Sequence, residues 1–143
     1  MEYRRFNDTY VVRMDRGEEI MGTLTDLCEQ EGIRLASVAA IGAVDRAVVG
    51  LYDVGKKVYH KKEFNEPMEI ASLLGTVTEK DSKPYLHLHA TLCDANMQTH
   101  GGHVNELHIS ATCEMVLRLL PGEVGRRLDS VTGLNIFDFD QGM

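Results

Sequence analysis

A chain of 143 residues is the size of one ordinary domain and can bury a core without disulfide or metal staples. Its 43% hydrophobic content suits a globular protein; no apolar run approaches a membrane span, and nothing apolar follows Arg4 and Arg5 to make a secretion signal. The net charge of −7, from 22 acids against 15 bases, is the reverse of the basic excess typical of nucleic-acid binders.

In chain order, the first expected strand is Tyr10 to Met14. Asp15-Arg16-Gly17-Glu18 then reads as a capping box, Asp15 accepting from the backbone while Glu18 reaches back. Ile20, Met21, Leu24, Leu27 and Cys28 follow as one stripe at helical spacing, and Gly32 is placed to end that helix. The period then changes to two. Leu35 to Ile41, Ala47 to Asp53, Val58 to Phe64 and Glu69 to Thr78 read as strands, separated by Gly42, Gly55 and the Asn65-Glu66-Pro67 break. Tyr85 to Cys93 alternates cleanly. Asp94 to Gly102 reads as a loop, His103 to about Leu120 as strand ending at Pro121-Gly122, and Gly133 to Phe139 as a closing strand. The expectation is a single compact α+β domain over residues 1–143, mainly an antiparallel sheet with one principal helix packed on it. One helix leaves sheet surface uncovered, which points to self-association. Cys28, Cys93 and Cys113 are odd in number and form no close pair, which fits free buried thiols and a cytoplasmic setting.

The chemistry concentrates in Pro84-Tyr85-Leu86-His87-Leu88-His89-Ala90-Thr91-Leu92. Side chains alternate along a strand, so Leu86, Leu88, Ala90 and Leu92 take the core face and Tyr85, His87, His89 and Thr91 the other. Two imidazoles about 6.6 Å apart on a rigid strand can converge on one ion held about 2.1 Å from each nitrogen. Gly101-Gly102-His103 is suited to bring the third ligand, because two glycines let the chain approach another backbone closely. The competing reading makes His87 and His89 ordinary polar residues on a solvated face. His100 is a further candidate ligand, and His60, among lysines, is expected in solvent. His103 and His108 lack the same-face helical spacing of a metalloprotease pair. Gly50 to Lys57 approaches a phosphate-binding loop, but Lys57 stands where a serine or threonine should hold magnesium. Glu114 sits among apolar neighbours. It is either the general base or carboxylate partner of a ligand histidine, or an exposed strand residue.

Leu86-His87-Leu88-His89-Ala90 followed by Gly101-Gly102-His103-Val104 resembles the plant and prokaryote conserved (PPC) domain family, which includes the plant AT-hook nuclear proteins. Gly17-Glu18-Glu19-Ile20, Ala40-Ile41-Gly42-Ala43 with Gly50-Leu51-Tyr52-Asp53, and Met68-Glu69-Ile70-Ala71-Ser72-Leu73-Leu74-Gly75 are similar to further segments of that family. The resemblance covers about residues 8–120. It implies a compact α+β domain that assembles as a homotrimer, with His87, His89 and His103 as its metal-type cluster. The chain has no Arg-Gly-Arg-Pro of an AT-hook, and Asn65-Glu66-Pro67 replaces the Gly-Arg that precedes the core strand in plant members.

Two functional readings stand side by side. In the first, the chain is a trimeric domain holding zinc or another divalent transition metal on three histidines. It acts as a hydrolase or lyase on a small anionic substrate, with Glu114 as catalytic base. In the second it is a non-catalytic regulatory or scaffold module that binds a ligand or a protein, and meets DNA through a partner.

Overall fold

The structure, a computed structural model, describes residues 1–140. Its elements are β1 (Glu2–Phe6), β2 (Thr9–Asp15), α1 (Ile20–Glu31), β3 (Ala36–Asp53), β4 (Val58–Phe64), β5 (Met68–Lys80), β6 (Lys83–Cys93), β7 (Thr99–Leu119), β8 (Gly125–Leu128) and β9 (Asn135–Asp138). The architecture is a mainly antiparallel sheet with a single helix.

The helix buries Ile20, Leu24, Leu27 and Cys28 in the same core as Val38, Leu73, Leu88 and Met115 of the strands. Gly32 ends it in the left-handed conformation, at φ 64°. Glu18 Oε2 accepts from the Asp15 N–H at 2.6 Å, as a capping box requires. The cap itself is Glu19, whose carboxylate accepts from the N–H groups of Met21 and Gly22 at 3.0 and 2.7 Å. Asp15 instead accepts from Arg13 Nε at 2.9 Å.

The large sheet runs β1-β2-β7-β6-β5-β3-β4, with a further pairing of β7 to β3. That extra pairing joins β3, β5, β6 and β7 into a closed circuit. The long strand β7 makes it possible: residues 99–103 pair with β6, and the strand lies beside β3 from Gly50–His103 to Ala36–Leu119. Gly42 does not divide β3 into two strands as expected. The chain continues through it with a shift of register, and a Cβ there would meet the Thr112 backbone, so glycine lets β7 pass closely. The Gly133–Phe139 strand does not close the sheet either. Its core, β9, pairs with β8 in a separate two-stranded sheet.

Cross-strand neighbours share a face. Val11, Val116, Ala39, Leu74 and His89 lie in one lateral row across β2, β7, β3, β5 and β6, and all five are exposed. This row is the outer face of the circuit, and the histidines border it. Among the described residues the three cysteines are free; burial pushes the Cys28 thiol up to about 12 and the Cys113 thiol up to about 11.

Candidate metal centre

Period-two alternation in β6 sends Leu88, Ala90 and Leu92 into the core and leaves His87 and His89 on the outer face. The third histidine comes from β7, where His103 stands opposite His89 on one side and opposite Gly50 of β3 on the other. The two glycines before it explain how β7 fits there. A Cβ on Gly101 would strike the Ala90 carbonyl, and one on Gly102, at φ 155°, would strike the Gly50 carbonyl.

The His87 and His89 rings are 5.2 Å apart, His87 and His103 5.2 Å, and His89 and His103 5.5 Å. One ligand nitrogen from each lies within 4.8 Å of the others. Tetrahedral zinc with nitrogens at about 2.1 Å wants them roughly 3.4 Å apart, a spacing inside that bound. The donors are of the right chemistry. Burial, followed by the charges of neighbouring histidines, holds His87 and His103 below the ordinary histidine range, so both are neutral and free to coordinate near pH 7. The residues therefore fit a zinc-type ion.

The cluster opens on a cleft of about 880 Å³ walled by Tyr59, Tyr85, Arg126 and Phe137. Tyr59 lies over Gly50, in space that any Cβ there would occupy, and its hydroxyl accepts from Asn105 Nδ2 at 2.5 Å. No aspartate or glutamate is among the lining residues.

Other histidines lie apart from the cluster. His100 pairs with Leu92, on the core side of the sheet, an odd number of residues from His103. Its ring packs on Phe64 at 4.9 Å, and its Nε2 lies 3.1 Å from Asp94 Oδ2. His60 is exposed, and His108 Nε2 lies 3.3 Å from Glu106 Oε2. Glu114 is not brought to the cleft. It is exposed, pairs with Arg13 and Ile41, and stands eleven positions along β7 from His103, on the order of 30 Å of strand. The exposed-strand reading of Glu114 is the one the geometry matches.

Residues 1–121 match the Plants and Prokaryotes Conserved (PCC) domain family. The chain belongs to this family. Its fold is shared with a protein of Bacteroides thetaiotaomicron that carries a provisional DNA-binding description, at a TM-score of 0.95 and 29% identity, with 97% of each chain covered. It is shared too with a metal-containing protein of Archaeoglobus fulgidus, at a TM-score of 0.85 and 38% identity, with 96% of each chain covered. Among curated proteins, the bifunctional protein GlmU of Synechococcus sp. is 30% identical over 128 residues, 87% of this chain; the chain spans 19% of that relative's length.

The hairpin of β8 and β9 lies beyond the residues matched to the PCC domain, yet supplies Arg126, Asn135 and Phe137 to the cleft. Sequence reasoning passes over Arg126. Nothing in Gly125-Arg126-Arg127-Leu128 signals burial, because the rings that cover Arg126, Tyr85 and Phe137, lie far from it in sequence. Among the described residues, no helix is long and apolar enough to cross a membrane.

Proposed function

We propose that the chain holds one divalent transition metal, zinc above all, on His87, His89 and His103, and that it acts as a hydrolase or lyase on a small anionic substrate. The convergence of three ring nitrogens within 4.8 Å, from two strands whose backbones fix them, carries this reading. The metal-containing relative from Archaeoglobus fulgidus supports it. Zinc held by these three histidines would supply a Lewis acid able to acidify water or polarise a substrate oxygen. The chain's own part is to favour the neutral form of His87 and His103, to exclude bulk water with Tyr59, Tyr85 and Phe137, and to offer a positive wall through Arg126. With Glu114 remote, the reading rests on that positive cleft rather than on a carboxylate base.

The assembly we propose is a homotrimer that covers the exposed outer row, in which Leu74 is 58% and Val116 45% accessible. Light scattering tests it, and a monomer mass at all concentrations would sink it. Elemental analysis of untagged protein tests the metal: about one divalent ion per chain is expected, and metal-free protein after growth in zinc-replete medium overturns it.

The missing carboxylate favours a second reading, a non-catalytic regulatory or scaffold module that meets DNA through a partner. Zinc-dependent turnover of small carboxylates or phosphate esters separates the two.

A further inference from the structure

We propose that Arg126 is the carboxylate-recognition residue of the histidine cleft, and that the ligand is a small organic acid with its carboxylate on Arg126 and its remainder directed towards His87, His89 and His103. The inference rests on the reading of the cleft as a ligand-binding metal centre and names the class of ligand.

Arg126 is 7% exposed, and among the described residues no carboxylate forms an ion pair with it. Everything that holds it is neutral. Its Nε donates to Thr78 Oγ1 at 2.9 Å, Nη1 to the Asn135 carbonyl at 3.1 Å, and Nη2 to Thr76 Oγ1 at 3.5 Å. The guanidinium carbon lies over the Tyr85 ring at 4.7 Å and the Phe137 ring at 4.3 Å. A guanidinium has five N–H donors, so these bonds leave two donors and a full charge without a partner. A buried charge is costly unless an opposite one meets it.

Two rings and three neutral acceptors fix the plane of the guanidinium without neutralising it, which leaves it pre-organised for an anion. The hairpin is itself held in shape. The Asp129 carboxylate accepts from the Thr132 N–H at 2.9 Å and from its hydroxyl at 2.7 Å, and Gly133 turns the chain at φ 77°.

The cleft's side chains narrow the anion. Arg126 is the one permanent cation among the lining residues; no lysine and no part of the helix lines the cleft. With its plane fixed by two rings and two donors left free, one guanidinium offers a carboxylate a planar two-point contact. The cleft is also shared, since Arg126 and the three histidines line the same 880 Å³.

The test is an NMR titration of the full chain, metal-free and after zinc addition, with acetate, inorganic phosphate and acetamide as probes. Acetate is expected to shift the Arg126 Nε–H and the Tyr85 and Phe137 ring resonances saturably in both forms, more tightly than phosphate, while acetamide does not. Arg126→Gln should weaken acetate at least about tenfold with spectral dispersion kept. Should that variant lose dispersion, the wild-type titration decides alone, and the absence of a saturable shift at Arg126 overturns the proposal. Equal binding of acetate and acetamide, tighter binding of phosphate, or acetate binding indifferent to Arg126→Gln overturns it too. Zinc uptake is scored separately on the same samples. A chain that takes up no zinc but binds acetate at Arg126 sinks the metal reading and leaves this one standing.

Discussion

The two ends of β7 are built from the same kind of alternating strand and serve different ends. At Gly101-Gly102-His103 the strand is wedged between β6 and β3, with backbones so close that only glycine fits, and its histidine is held against two others. At Glu114 to Val116 the strand runs between β2 and β3, and its outer side chains, Glu114 and Val116, stand exposed. Position along one strand therefore decides chemistry. Close backbone approach makes a rigid polar site, and ordinary spacing leaves an exposed outer row.

The largest expected effect breaks the first end. Replacing His87 and His89 together by alanine should take bound zinc from about one per chain to less than about a tenth, as read by elemental analysis. Glu114→Gln should leave that stoichiometry unchanged; if it too empties the site, the contrast between the ends is wrong. The next breaks the other end. If the proposed homotrimer covers the outer row, Val116→Glu should reduce the light-scattering mass to about one third while zinc is retained, because a charge buried in that contact disfavours closure of a symmetric oligomer. Gly102→Ala sharpens the wedge argument. It forces a Cβ towards the Gly50 carbonyl at φ 155° and should cost about 1–3 kcal/mol in denaturant unfolding.

Asp94, just after β6, gives an acid-limb test. The His100 ring, then the Gln98 N–H, hold its carboxyl below the ordinary aspartate range. The folded value lies below the unfolded one, so this contribution is present at neutral pH and is lost as pH falls below about 4. Asp94→Asn should flatten that part of an acid titration followed by circular dichroism. The smallest expected effect is on DNA. A fluorescence anisotropy titration with random and A·T-rich duplexes near physiological salt should show no sub-micromolar binding, because the net charge is −7 and phosphate contacts need unneutralised cations. Tight binding that weakens steeply with salt would instead make the contact face, or the lysines of β4, a nucleic-acid surface.

The parts of this molecule that a linear reading captures are those fixed by neighbours in sequence. The helix stripe, its Gly32 stop and the His87–His89 pair depend only on local period. Gly101 and Gly102 announce a close approach, although not to which strands. What escaped depends on remote partners. β1 exists because it pairs with β2, and β8 because it pairs with β9. Gly42 looks like a break and is a bulge, because β7 lies beside it. Glu114 has apolar neighbours in sequence, yet alternation sends Cys113 and Met115 inward and leaves it in solvent. Arg126 could not be singled out, since its aromatic cover and hydroxyl acceptors come from β5, β6 and β9.

In its strand order the large sheet ends at β1 on one side and β4 on the other. An unpaired strand border is a template on which another chain can add and grow a fibre. Both borders carry exposed charges at successive positions, Arg4 and Arg5 on β1 and Lys61, Lys62 and Glu63 on β4. Charges at such border positions are the kind that blunt edge-to-edge growth. With the borders so defended, the homotrimer proposed above would form face to face, where a symmetric assembly can close on itself.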